Sequence, residues 1–144
     1  MVTGYSGTPL ATKLGIKAGS TVWLVGAPTG FEAELEPMPE QVSIRRRVPS
    51  AAGRVVDVAV LFTTWRRHLD DRYPKVMASL RPAGGLWVAW PKRASGVATD
   101  VSENTVREVA LAAGMVDNKV CAVTDVWSGL RLVWRVRDRP GLGG

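Results

Sequence analysis

Three small clusters of polar side chains have the composition to hold a ligand. The first is Lys92-Arg93-Ala94-Ser95-Gly96, in which two cations, a hydroxyl and a glycine fall in one short stretch. That set suits a phosphate or a carboxylate, because charge-assisted hydrogen bonds are the strong ones. The competing reading is a solvated loop that keeps a sheet edge soluble. The second cluster is Tyr5, Ser6 and Thr8, just ahead of a short helix whose free N–H groups favour negative charge. Thr8 serves equally well there as a plain helix cap. The third is Asp125, Trp127 and Ser128, where an indole can stack on a planar ligand and a carboxylate can orient a hydroxyl or amine. More often such a tryptophan packs over a sheet end and the aspartate fixes a turn. Gly26 and Gly30 frame a further turn, GAPTG, where backbone can come close to a ligand.

Other reactive side chains stand alone. His68 is the single histidine, beside Arg66-Arg67, and reads as solvated. Cys121 sits in the apolar run KVCAV and reads as inert packing. No second histidine or cysteine supports a metal site, and no nucleophile–base arrangement can be assembled, so no catalytic residue is assigned. Asp57 lies inside an apolar strand and is not read as catalytic. Arg45-Arg46-Arg47 can bind phosphate or RNA, or can protect an edge strand from pairing with another chain.

The elements that must position these clusters follow from periodicity and punctuation. Thr8-Pro9 predicts an N-cap followed by proline in the first turn, with a helix from Pro9 to Leu14 stopped by Gly15. TVWLV (Thr21 to Val25), VVDVAVLF (Val55 to Phe62) and GGLWVAW (from Gly84, its strand Gly85 to Trp90) read as buried strands. QVSIRRRV (Gln41 to Val48) alternates weakly and reads as a fourth. Phe31 to Leu35 opens a short helical segment that Pro37 and Pro39 end. Trp65, Leu69, Val76, Met77 and Leu80 share a helical face, with a kink or a break into two short helices expected at Pro74 and closure at Arg81-Pro82-Ala83-Gly84. Asp100 and Glu103 read as a capping box for a helix whose inner stripe is Val106, Val109, Ala110 and Ala113, ended by Gly114. Lys119 to Thr124 and Leu130 to Val136 form a final hairpin.

Strands alternating with helices predict an α/β fold: a three-layer, Rossmann-like, mainly parallel sheet ending in an antiparallel β-hairpin. Residues 1–137 make one domain and 138–144 a flexible tail. In such sheets ligands bind beyond the carboxyl ends of the strands. That rule collects Gly26 to Gly30, Thr63-Thr64, Pro91 to Gly96 and Asp125 to Gly129 on one rim.

Composition bounds the function. The chain has 144 residues, 46% of them hydrophobic and 22% charged, which is ordinary for a globular domain. No apolar run reaches the roughly 18 residues of a membrane span, and the N-terminus lacks the pattern of a signal peptide. A lone cysteine fits a reducing, cytoplasmic setting. The net charge is +6 and the pI about 10.1, which permits attraction to anionic ligands or acidic partners. With no nucleic-acid module or basic-aromatic motif, nucleic acid is not an expected partner.

LGIKAGSTVWLVGAPTG, VVDVAVLF and SLRPAGGLWVAW resemble the first, fourth and fifth strands, with their leading turns, of class I S-adenosylmethionine-dependent methyltransferases. The resemblance runs from Leu14 to about Val136, with the terminal hairpin matching the last two strands. It implies the methyltransferase fold. It departs at the cofactor: Leu24 stands in place of the family's acidic residue, and Pro28 in place of its middle glycine. Arginines 45–47 stand where the second strand would end in a ribose-gripping carboxylate. GYSGTPLATKLGIKAG, SLRPAGGLWVAWPKRASGVATD and KVCAVTDVWSGLRLV are similar to a family of short bacterial proteins known as a domain of unknown function, which implies that this fold stands alone as a small protein. The expected function is a non-catalytic binding or regulatory module for a small anionic ligand or nucleotide. The alternatives are a methyltransferase with an altered glycine loop and a protein-interaction domain. Cofactor and protein partner stay open.

Overall fold

The computed structural model describes residues 7–48 and 53–142. Six strands form one sheet: β1 Thr21–Val25, β2 Ser43–Arg45, β3 Val56–Phe62, β4 Leu80–Pro91, β5 Met115–Ala122 and β6 Trp127–Trp134. Their spatial order is β2-β1-β3-β4-β6-β5. β2, β1, β3 and β4 run parallel. β6 is inserted antiparallel between β4 and β5, so the hairpin turns back into the sheet rather than simply extending it.

Three layers result from apolar residues on both sheet faces. Helices α2, Arg66–Ser79, and α3, Glu103–Ala112, cover one face, where Leu69, Tyr73, Val76, Val106 and Ala110 meet Ala59, Leu61, Leu86 and Val88. The short helix α1, Leu10–Lys13, and the 3-10 turn Phe31–Leu35 cover the other, with Leu14, Phe31 and Leu35 against Val22, Leu24, Val58, Val60 and Trp87. The indole N–H of Trp87 donates to the Leu14 carbonyl at 3.0 Å and pins the end of α1 to the sheet. Among the described residues no helix is long and apolar enough to cross a membrane.

Several expectations shift for physical reasons. Pro9 takes the cap position of α1, so the helix begins at Leu10. β2 keeps only Ser43–Arg45, since it pairs with just the first half of β1. Arg81 to Gly84 is not a closing turn; it is extended backbone of β4, joined to β3 across a register shift. α2 runs as one helix through Pro74, and Trp65 sits at its cap, 37% exposed, rather than on its inner face. Ser102, not Asp100, caps α3, in a reciprocal box with Thr105. The C-terminal segment, expected as a loose tail, is wound as a 3-10 helix from Val136 to Leu142. Arg54 ties it down, donating to the Leu142 carbonyl at 3.2 Å and to those of Met77 and Leu80 at 3.0 and 3.1 Å. Its guanidinium also lies 4.7 Å from the centre of the Trp134 ring.

Candidate functional site

The larger cleft, about 870 Å³, opens at the carboxyl rim of the sheet on the α1 side. Its walls bring together Thr8, Gly30, Lys92, Asp125 and Trp127, from four separate stretches of sequence. Lys92 leaves the end of β4 half-buried. Its amide donates to the Val126 carbonyl at 2.7 Å, which fastens the β4 exit to the hairpin bearing Asp125 and Trp127. Behind the cleft, rings stack edge to face: Phe31 against Phe62 at 4.9 Å, and Phe62 against Trp127 at 5.1 Å. These contacts hold the Trp127 indole in place.

The remaining candidates do other work. The Ser95 hydroxyl donates to the Lys92 carbonyl at 2.6 Å and accepts from the Val97 amide at 3.2 Å, so it closes the turn after β4. Arg93 is exposed, and Gly96 ends the turn with φ of 77°; neither lines the cleft. Gly26 adopts φ of 68°, and a β-carbon there would come within 3.0 Å of the Phe62 carbonyl, so this glycine lets the turn pass the end of β3. Trp127 and Ser128 belong to β6 rather than to a hairpin tip, and Ser128 pairs with Trp90 and Ala122 inside the sheet. Thr63 and Thr64 are covered: the Thr64 carbonyl accepts from the Thr99 hydroxyl at 2.6 Å and the Asp100 amide at 3.3 Å. Tyr5 and Ser6 lie outside the described residues.

The cleft also holds groups that the sequence reading passed over. Glu34 and Glu36 face it, as does Lys13. Two lysines therefore share the rim with three carboxylates, those of Glu34, Glu36 and Asp125. Such a wall accepts an anionic group only beside hydrogen-bond donors or a positive group on the same ligand. The acidic residues of the short helical segment after Gly30 were the available signal, but nothing in their spacing says that they face a ligand cleft.

The turn where the resemblance implies S-adenosylmethionine does not fit that cofactor. Leu24 is buried and offers no acceptor. Arg46, just beyond β2, folds back over the turn. Its guanidinium donates to the Ala27 and Pro28 carbonyls at 2.9 and 2.8 Å, and to both carboxylate oxygens of Glu32 at 2.7 and 2.9 Å. The Arg46 hydrogen bonds hold the Glu32 carboxyl at about 2, well below its ordinary 4.5. A guanidinium thus sits where the family has a carboxylate, and it occupies backbone acceptors of the glycine turn itself. Arginine cannot accept a ribose hydroxyl.

Cys121 is half-buried, and burial pushes its thiol above the ordinary value, which opposes a role as nucleophile. Among the described residues, no group of three or more His, Cys, Asp or Glu side chains is placed to hold a metal ion.

The fold has many solved counterparts. A S-adenosylmethionine-dependent methyltransferase from Aquifex aeolicus superposes with a TM-score of 0.65 at 16% identity, over 85% of this chain and 86% of that one. The ribosomal protein L11 methylase of Lactobacillus delbrueckii subsp. bulgaricus gives 0.59 at 12%, over 88% and 75%. The fibrillarin pre-rRNA processing protein of Methanococcus jannaschii gives 0.59 at 12%, over 91% and 70%. At these identities the likeness is one of fold. No curated protein matches the chain. The family model described as "Protein of unknown function (DUF3052)" matches residues 11–136, and the chain belongs to that family.

Proposed function

We propose that this DUF3052 member is a binding module built on the methyltransferase fold, and that it holds a small anionic ligand or nucleotide in the carboxyl-rim cleft without using S-adenosylmethionine. One observation carries the reading: Arg46 spends its guanidinium on the glycine turn and Glu32, while a large cleft remains beside it with Lys92 and Trp127 on its wall. The mixed charge of that wall favours a nucleotide over a bare anion. Phosphate oxygens meet Lys92, sugar hydroxyls donate to the Glu34, Glu36 or Asp125 carboxylates, and a base can lie against Trp127. A charge-assisted contact of this kind is worth about 1.5–3 kcal/mol, or roughly ten- to a hundredfold in affinity.

A thermal-shift screen across S-adenosylmethionine, nucleotides and sugar phosphates tests it. A nucleotide or sugar phosphate raises the melting temperature, S-adenosylmethionine does not, and Lys92→Ala abolishes the response. Stoichiometric uptake of S-adenosylmethionine in calorimetry, or a nucleotide response unchanged in Lys92→Ala, overturns the reading.

A further inference from the structure

A second cavity, about 240 Å³, lies at the amino ends of the strands, away from the cleft just described. Lys17, Ser20, Asp57, Arg81 and Arg131 line it, with Gly84 from β4. Three cations therefore face one carboxylate, and that carboxylate is already used. Asp57 Oδ2 accepts from the Thr21 amide at 2.8 Å, and Oδ1 pairs with Arg81 at 3.2 Å.

Arg131 is left over. It projects from β6, half-buried, and its guanidinium lies against Gly85 on β4. Any β-carbon at Gly85 would overlap it, with Nη2 only 2.7 Å away. The glycine thus provides the seat on which the guanidinium rests. Among the described residues its single hydrogen bond is a long one, 3.4 Å to the exposed Asn118 side chain, and no carboxylate lies within ion-pair distance. Burial, and then Arg139, push its guanidinium below the ordinary value. A half-desolvated cation with most of its donors unused is costly unless a counter-charge meets it. The planar fork matches two oxygens of one oxyanion. Lys17, exposed on the same wall, adds a second cation without a partner among the described residues.

We infer that this cavity is a subsite for one small oxyanion, a phosphate or a compact carboxylate, gripped by Arg131 with Lys17 at the mouth. The volume lies below the ~300–1,000 Å³ usual for drug-sized ligands, so a whole nucleotide belongs to the other cleft. The inference does not depend on what that cleft binds.

The test is a titration with inorganic phosphate and, separately, acetate, at constant ionic strength set by chloride. The Arg131 Nε–H cross-peak in arginine-labelled protein is followed by NMR, with calorimetry alongside. The peak shifts saturably with at least one of the two anions, and does so equally in Lys92→Ala. Binding falls at least tenfold in Arg131→Gln, and by a smaller factor in the surface variant Lys17→Gln, which leaves the fold undisturbed. Stronger binding of phosphate assigns a phosphoryl group, and stronger binding of acetate a carboxylate. A shift that does not saturate with either anion, or binding lost in Lys92→Ala and retained in Arg131→Gln, overturns the inference.

Discussion

The carboxylate of Asp100 accepts a hydrogen bond at 2.7 Å from the backbone amide of Arg66, 34 residues earlier in the chain. Arg66 opens α2, and Trp65 at the cap position supplies no side-chain acceptor. The aspartate that looks like the cap of its own helix therefore caps the neighbouring one. Together with Thr99 on the Thr64 carbonyl, it straps the segment after β4 across the end of β3.

Removing that carboxylate should loosen α2 and not α3. Asp100→Ala should cost about 1 kcal/mol, the usual worth of an N-cap, measured as a lower urea midpoint at unchanged slope. Asp100→Asn, which keeps the acceptor, should recover most of it. Ser102→Ala should give a loss of the same order by breaking the box at α3. Amide exchange near Arg66 that is unaffected in Asp100→Ala would refute the assignment.

Two glycines of the sheet should respond differently to alanine. At Gly84 a β-carbon would lie 2.7 Å from the Asp57 carbonyl oxygen and 3.1 Å from that of Arg81, both backbone atoms that cannot swing away. At Gly129 it would meet side chains, Val123 at 2.7 Å and Trp87 at 3.1 Å. Overpacking costs about 1–3 kcal/mol, so Gly84→Ala should fall at the upper end and Gly129→Ala below it. Equal denaturation midpoints for the two variants would count against this ranking.

How much of this was legible in the sequence varies by element. β1 is readable to the residue, because TVWLV is β-rich, apolar after Thr21, and bounded by Gly19-Ser20 and Gly26. The cap of α3 is not, because Asp100 with Glu103 carries the pattern the sequence offers, and only the structure shows that carboxylate drawn to the Arg66 amide while Ser102 and Thr105 close the box. The cleft is half legible. The rule that ligands sit at strand carboxyl ends gathers Gly30, Lys92, Asp125 and Trp127, and the cleft contains them. It says nothing about Glu34 and Glu36, which arrive through a 3-10 turn with no periodic signal. The sequence shows arginines after β2, where the resemblance implies a carboxylate. Only the parallel pairing of β2 with β1 brings Arg46 onto the 27–28 carbonyls.

That latch should be visible in a pH titration. The folded Glu32 carboxyl titrates at about 2 instead of 4.5, because the charged form is hydrogen-bonded to Arg46. A depressed carboxylate contributes stability that is present above pH 4.5, fades as the pH falls below it, and is gone once the pH passes below about 2. Both partners are substantially exposed, so the contribution is small and the NMR titration is the sharper measure. The Glu32 carboxylate, followed through its side-chain carbon shift, should stay unprotonated at pH 3 in the wild type and titrate near 4.5 in Arg46→Ala. A wild-type midpoint near 4.5 would mean that the guanidinium is not held there in solution.

Trp87 links the core to the cleft. Its ring is fully buried, Gly129 leaves room for it, and its N–H reaches the carbonyl of Leu14 at the end of α1. Trp87→Phe removes the donor, strands a buried carbonyl and leaves a void, which together should cost roughly 2–4 kcal/mol. The loss should concentrate in α1, whose Leu10 and Lys13 line the cleft. Hydrogen exchange should therefore speed up most at the amides of Leu14 and Ile16, which bond back to Leu10 and Ala11, and less at those of β3. The nucleotide binding proposed above should weaken in the same variant, although Trp87 itself does not line the cleft. Uniform acceleration across the sheet, with α1 no worse than β3, would show that the indole fills space but does not anchor the helix.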